Sequence, residues 1–285
     1  MAGTATGSDP GAAGGQDLAL HPAVVAAGSG GGRWTQVHHI VEVTSTNDVA
    51  LERLRTGGSA GLVVVADAQT AGRGRAGRGW VDAVRGPDGP GNLAVTATVP
   101  VRTQAAGAVP LAAGLAVADA FRDAGASPTL KWPNDVLLDD RKACGILVER
   151  HDLPSGSVLL IGCGLDLDWR GVPREGEAAG WTSLAEALDA PVDRGAVLGA
   201  LLAHLDRRLR VLARDPAALL TAYREACATV GRPVRVVLPG GTERTGVAHD
   251  LDEDGHLVVA TDEGPLVVRA GDVVHLRPGP EQPAD

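Results

Sequence analysis

Lysine is nearly missing from this 285-residue chain: of its 26 basic residues only Lys131 and Lys142 are lysines. A compact ammonium kept at two places, where a guanidinium serves everywhere else, marks both as candidates for a specific task. Positive charge is short as a whole, 26 Lys+Arg against 35 Asp+Glu, for a net charge of -9. A protein that coats a nucleic-acid duplex carries the opposite balance, which disfavours that class. Besides five tryptophans there are one Tyr and one Phe, too few rings to stack bases on a single strand. Cys144, Cys163 and Cys227 are an odd number without paired spacing. They form neither a disulfide framework nor a zinc site and point to a reducing, cytoplasmic compartment. A secretory signal lacks its charged start, since the first basic residue is Arg33. Apolar runs such as residues 196–202 fall short of the roughly 20 residues that span a bilayer. No Gly-Lys-Ser/Thr occurs, which removes a P-loop.

Residues 1–33 are mostly Gly, Ala, Ser and Asp, with GAAGG and GSGGGR runs, and read as a disordered tail. Residues 34–230 read as the main domain. Strand patterns at 37–43, 61–66 and 93–99 alternate with helical ones after Thr44-Ser45-Thr46-Asn47-Asp48 and at 109–124. Four strands with hairpin spacing follow at 129–132, 136–138, 143–149 and 157–167. Ser183-Leu184-Ala185-Glu186 is a capping box, and helices are expected at about 193–213 and 216–229. Residues 231–279 change to short β segments at 234–238, 245–250, 256–260 and 265–269, the pattern of a small barrel, and 280–285 read as a second tail.

Gln69-Thr70-Ala71-Gly72-Arg73-Gly74-Arg75-Ala76-Gly77-Arg78-Gly79-Trp80 contains G-x-G-x-x-G directly after a strand. A dinucleotide fingerprint needs a helix to start at those glycines, and the residues after Trp80 have no helical period. What remains is a loop whose three arginines are separated by glycines, able to close over a phosphorylated intermediate with guanidinium forks and backbone N–H groups. Seven glycines within 72–91 make such ordering costly without a partner. Lys131-Trp132-Pro133-Asn134-Asp135 reads as a tight turn between strands. Lys142 opens a strand in which Ala143 and Gly145 let another group approach the backbone. Ile161-Gly162-Cys163-Gly164-Leu165-Asp166 ends a buried strand with two glycines and an acid.

In this order, Thr44-Ser45-Thr46-Asn47, the Arg-Gly loop, the KWPND turn and Lys142-x-x-Gly145-Ile146-Leu147-x-Glu149 resemble the biotin protein ligases, over about residues 40–280. Both lysines of the chain fall inside these motifs. The resemblance implies an α+β fold: a core like that of class II aminoacyl-tRNA synthetases, with a mixed, mostly antiparallel sheet and helices, plus an SH3-like C-terminal β barrel. It implies activation of biotin with ATP and Mg2+ as biotinyl-5'-AMP, then transfer to one lysine of a biotin carboxyl carrier domain in an acyl-CoA carboxylase. Ser45, Thr46, Asn47 and Gln69 would line the biotin pocket, where hydroxyl and amide groups suit a ureido ring that donates and accepts. Arg73, Gly74 and Arg75 would close over the adenylate with Gly72, Arg78 and Trp80. Lys142 and Arg75 would act on the reacting carboxylate and phosphate, with Lys131, Asn134, Asp135 and Gly145 beside them.

Asp166 stands where the family usually has asparagine, and is expected either to help hold magnesium or to accept from the adenine amino group. Residues 1–33 are too short and glycine-rich for a helix-turn-helix, so no DNA partner and no repressor role are expected. No membrane partner is expected either, and the oligomeric state is expected to be a monomer or weak homodimer. A lipoate or octanoyl ligase on the same core, and a non-catalytic biotin sensor, are the competing readings.

Overall fold

The computed structural model describes residues 17–28, 32–80, 91–101 and 107–276. Its centre is a seven-stranded sheet in the order β1-β2-β3-β7-β6-β5-β4. The strands are β1 (Gln36–Val43), β2 (Leu62–Gln69), β3 (Leu93–Pro100), β4 (Thr129–Lys131), β5 (Asp135–Leu138), β6 (Arg141–Leu153) and β7 (Gly156–Leu165). β1 and β2 run parallel and every other neighbour is antiparallel. The unbroken apolar run in β2 follows from burial on both sides. Val63 and Val65 join the main core, while Leu62 and Val64 pack with Ala50, Leu51 and Leu54 of α2 (Thr46–Arg55). Successive strand residues point to opposite faces, so one strand feeds both layers.

The main-core face is covered by α3 (Val109–Asp123), α5 (Arg194–Arg214) and α6 (Pro216–Ala226). α3 is buried nearly all round, which is why its sequence is apolar without a polar stripe. α4 (Leu184–Leu188) starts on the expected capping box, with Ser183 and Glu186 each bonding the other's backbone. Asp193 and Asp215 cap α5 and α6 by accepting from Ala196 and Ala218 N–H.

The tail expected over residues 1–33 is corrected at 17–28. A 3-10 turn at Leu18–Leu20 and α1 (Pro22–Gly28) pack against the body, burying Leu18 and Val24. Gly195 and Gly199 of α5 make room for them: a Cβ there would come within 2.3 Å of the His21 ring and 2.5 Å of Ala23. Leu18, Leu20, Val24 and Val25 supply local apolar content that the glycine-rich average over 1–33 conceals. Residues 1–16 lie outside the described residues.

The C-terminal unit is a five-stranded antiparallel sheet, β11-β10-β9-β8-β12, formed by β8 (Pro233–Val237), β9 (Glu243–Leu251), β10 (Leu257–Thr261), β11 (Gly264–Val268) and β12 (Asp272–His275). The sequence reading missed β12, whose four residues are too few to show a period. This unit sits on the main domain through Trp132. That side chain is 3% exposed and donates its indole N–H to Gly255 O at 2.9 Å. Arg224 of α6 adds a bond to Asp250 at 2.8 Å. The α+β fold, a mixed and mostly antiparallel sheet with helices and a small β unit behind it, is the class the sequence implied.

Candidate active site

A cavity of about 430 Å3 opens on the α2 side of the sheet, between the N-terminus of α2, the strands β5–β7 and the C-terminal unit. The strand register explains its flat floor. Gly145 of β6 pairs with Gly164 of β7, and Leu147 pairs with Gly162, which in turn faces Thr96 of β3. These glycines are absences of side chain that other groups use. A Cβ on Gly164 would lie 2.4 Å from the Trp80 indole, and one on Gly145 would lie 2.6 Å from it. A Cβ on Gly162 would meet Asn47 Oδ1 at 2.7 Å.

One end of the cavity is polar and enclosed. Ser45, Thr46 and Asn47, where β1 hands over to α2, are all 5% exposed or less. Thr46 N–H donates to Gln69 Oε1 at 2.9 Å, and Thr46 Oγ1 lies 3.1 Å from the same oxygen. Thr96, fully buried, places its hydroxyl 2.8 Å from Thr46 Oγ1 and 2.6 Å from Asn47 Oδ1. Asn47 Nδ2 donates to Glu149 at 2.6 Å.

The other end is cationic. Lys142 Nζ is 3.1 Å from Asp135 Oδ1 and lies over two indoles, 5.2 Å from the Trp80 ring centre and 5.0 Å from that of Trp181. Those rings stack with centroids 4.9 Å apart. Asn134 donates to Ile146 O at 3.0 Å, fastening the KWPND turn to β6.

The arginine loop closes over both ends. Its legs are held together by Trp80 N–H donating to Gly72 O at 2.9 Å and Gly74 N–H to Arg78 O at 2.7 Å. Arg73 reaches Asp48 at 2.7 Å and Glu149 at 3.3 Å. Arg75 donates to Asn134 Oδ1 at 3.2 Å and Gly271 O at 3.4 Å, and Arg78 reaches Asp272 at 2.9 Å. The loop thereby ties α2, the KWPND turn and the C-terminal unit together. Burial holds the Arg75 guanidinium below the usual arginine value, against the pull of Asp272 and Asp135. Residues 81–90 lie outside the described residues.

Residues 39–168 match the Biotin/lipoate A/B protein ligase family, and residues 229–276 match the Biotin protein ligase C terminal domain. The chain is 38% identical to the biotin--[acetyl-CoA-carboxylase] ligase of Mycobacterium tuberculosis, over 92% of this chain and 96% of the relative. It belongs to the biotin protein ligase family. It is 31% identical to the corresponding ligase of Paracoccus denitrificans, over 82% of this chain and 98% of that protein. The structure of the Aquifex aeolicus biotin protein ligase in complex with biotin and ATP superposes with a TM-score of 0.72 at 28% identity, over 86% of this chain and all of that one.

Of the residues expected from the family motifs, the cavity is lined by Ser45, Thr46, Asn47, Gln69, Arg73, Gly74, Arg75, Arg78, Trp80, Lys131, Asn134, Asp135, Lys142 and Gly145. Gly72 stands behind the wall as the acceptor for Trp80 N–H. Asp166 is the clear departure. It is fully buried, off the cavity wall, and Asn92 Nδ2 donates to its Oδ1 at 3.0 Å while Leu167 N–H donates to Asn92 Oδ1. Its carboxylate fastens the start of β3 to the end of β7, behind the cavity wall and not on it. Thr96, Trp181 and His275 are site residues outside the motifs, and Glu149 stands within the Lys142 motif without a role assigned to it. Polar residues in the apolar run of β3, Thr96 and Thr98, were a signal for the first.

His275 of β12 lines the cavity and bonds Thr229 Oγ1 through Nε2 at 2.9 Å. Burial pushes its pKa down to about 4 from 6.5, with Lys131 and Arg232 adding to the fall. Between those two values the unfolded chain binds a proton at this residue that the folded one refuses. Its stabilising contribution is therefore present above about pH 6.5 and lost as pH falls toward 4. We expect the melting temperature to drop over that window and the drop to be shallower in His275→Gln. Parallel pH–stability curves for the two proteins would refute the assignment. The three cysteines are free and buried, and burial pushes the Cys163 thiol on the cavity wall up to about 12, so none is a nucleophile near neutral pH.

Proposed function

We infer that this protein is an ATP-dependent ligase that activates biotin as biotinyl-5'-AMP and transfers the biotinyl group to one lysine of a biotin carboxyl carrier domain of an acyl-CoA carboxylase. The observation that carries this reading is one cavity with two chemically opposite ends: a buried hydroxyl–amide pocket at Thr46, Asn47 and Gln69, and a cationic end at Lys142, Arg75 and Arg78. The first suits an uncharged ureido group and the second a carboxylate meeting a phosphate. The biotin and ATP bound together in the Aquifex relative support the same pair of substrates.

The chemistry needs positioned charge more than proton transfer. A biotin carboxylate oxygen attacks the α-phosphorus of ATP, a P–O bond forms, and the bond to pyrophosphate breaks. Negative charge grows on the phosphoryl oxygens and the leaving group. Lys142 and Arg75 are held in place beforehand by Asp135 and Asn134, so stabilising that charge requires little reorganisation. The product is a mixed anhydride prone to hydrolysis. The loop at 72–80, with Trp80 lying on the glycine floor, keeps water from it. The carrier lysine amine then attacks the acyl carbon, AMP leaves with its phosphate oxygen, and the amine loses a proton.

Magnesium has no ready seat among the described residues. Of the carboxylates on the cavity wall, Asp135 is paired with Lys142 at 3.1 Å and Asp140 with Arg232 at 2.9 Å, while Glu177 stands exposed. Among the described residues the one acid–histidine cluster, Asp252, Asp254 and His256, lies in the C-terminal unit off that wall. Positive charge at the phosphates is assigned to the chain's own Lys142, Arg75 and Arg78. No described helix is long and apolar enough to cross a membrane. Three free, buried thiols support a reducing, cytoplasmic setting.

The reading is tested by incubating the protein with biotin, ATP and a purified carrier domain, and following intact mass. One biotinyl group on one lysine is expected, and none on a carrier in which that lysine is arginine. Modification scattered over many surface lysines of a carrier would contradict a docked, specific transfer.

A further inference from the structure

Glu149, at the middle of β6, is 28% exposed and belongs to none of the roles assigned so far. Its Oε2 accepts twice, from Asn47 Nδ2 at 2.6 Å and from the Arg73 guanidinium at 3.3 Å. An ionised carboxylate can only accept, which has consequences along a chain of hydroxyls. Asn47 must turn its NH2 toward Glu149 and its carbonyl oxygen inward, where it lies 2.6 Å from Thr96 Oγ1. Thr96 has one hydrogen and gives it to that oxygen. Thr46 has one hydrogen and two acceptors in reach of it, Thr96 Oγ1 at 2.8 Å and Gln69 Oε1 at 3.1 Å. Whichever takes it, the donors beyond run in one direction, from Thr96 to Asn47 to Glu149. Thr46 Oγ1 is left offering lone pairs to the cavity, as a ureido N–H requires. Thr96 is fully buried and Asn47 nearly so, which leaves little water to reverse the order.

The same carboxylate meets the arginine loop. Arg73 is the first arginine of the closing loop, and its other partner is Asp48, one residue beyond Asn47, at 2.7 Å. We propose that Glu149 is a positioning residue that sets the hydrogen-bond polarity of the biotin pocket and, through Arg73, couples that pocket to the closed loop. The inference rests on the reading of the cavity as a biotin–ATP site.

Two variants separate the halves of this role. Glu149→Ala removes both bonds, whereas Glu149→Gln keeps an oxygen for Asn47 and loses the charge that holds Arg73. The readouts are the biotin KM in pyrophosphate exchange, the rate at which preformed biotinyl-5'-AMP escapes after dilution, and the melting temperature. For Glu149→Ala we expect the biotin KM and the escape rate each to rise about tenfold or more, the scale for losing a bond to a charged group. For Glu149→Gln we expect the escape rate to rise alike while the biotin KM stays within about threefold of the native protein, which is the rescue that a merely structural glutamate would not show. Native KM and escape rate in both variants would overturn the inference, as would equal losses in both that follow a lowered melting temperature. A native protein without biotin-dependent exchange would overturn the reading of the site itself, and this inference with it.

Discussion

Replacing Lys142 by alanine is expected to slow formation of biotinyl-5'-AMP by at least about a hundredfold, the usual scale for removing one preorganised donor at a developing anion. The lysine is fixed by Asp135 at 3.1 Å and by the two indoles of Trp80 and Trp181 near 5 Å, in a chain that uses arginine almost everywhere else. Arginine at this position would carry charge but not the compact shape that fits between two rings and a carboxylate, so Lys142→Arg should restore only part of the rate. Stability should change little, because Lys142 lies against a ligand cavity and not within the apolar core. Single-turnover adenylation with a parallel melting curve checks both halves. A near-native rate combined with a large fall in melting temperature would assign Lys142 to the fold and not to the reaction.

Substitution of Gly164 by alanine is expected to cut adenylation by about tenfold to a hundredfold, with the protein still folded. The new Cβ would fall 2.4 to 2.9 Å from three atoms of the Trp80 indole, a rigid ring with no flexible end to move. Overpacking of this kind costs about 1–3 kcal/mol when neighbours must shift, and here the cheapest shift is for Trp80 to leave. Trp80 then loses its stack on Trp181 and the loop loses the ring that seats it on the floor. The biotin end of the cavity is built by Thr46, Asn47 and Thr96, so the biotin affinity should fall much less than the adenylation rate. A loss of biotin affinity as large as the loss of rate would place the Trp80 seat in the wrong half of the site.

How far the sequence could carry this account depended on whether an effect is local. Periodicity and capping chemistry placed the sheet strands, the α4 capping box and the α3 helix because those signals lie within a few residues. The scarcity of lysine singled out Lys131 and Lys142, and both line the cavity. Ala143 and Gly145 were readable as a place of close approach, but the occupant over Gly145, Trp80, comes from a distant segment and was not, and the glycines at 162 and 164 gave no sign of Asn47 and Trp80 above them. Asp166 shows the same limit. A strand-end acid beside phosphate-binding motifs invited a metal role, whereas its side chain turns to Asn92, a partner that no local rule could supply. Averaging composition over the first 33 residues hid α1, and four residues were too few to reveal β12, which brings Val274 and His275 to the cavity.

The central claim is that one cavity joins a biotin carboxylate to the α-phosphate of ATP. Exchange of labelled pyrophosphate into ATP by the purified chain measures that step alone, without a carrier protein and without transfer. The account predicts exchange that requires biotin, is not supported by lipoate or octanoate, and is lost in Lys142→Ala. Exchange that proceeds equally well with lipoate, or no exchange with biotin by a folded protein, would contradict it.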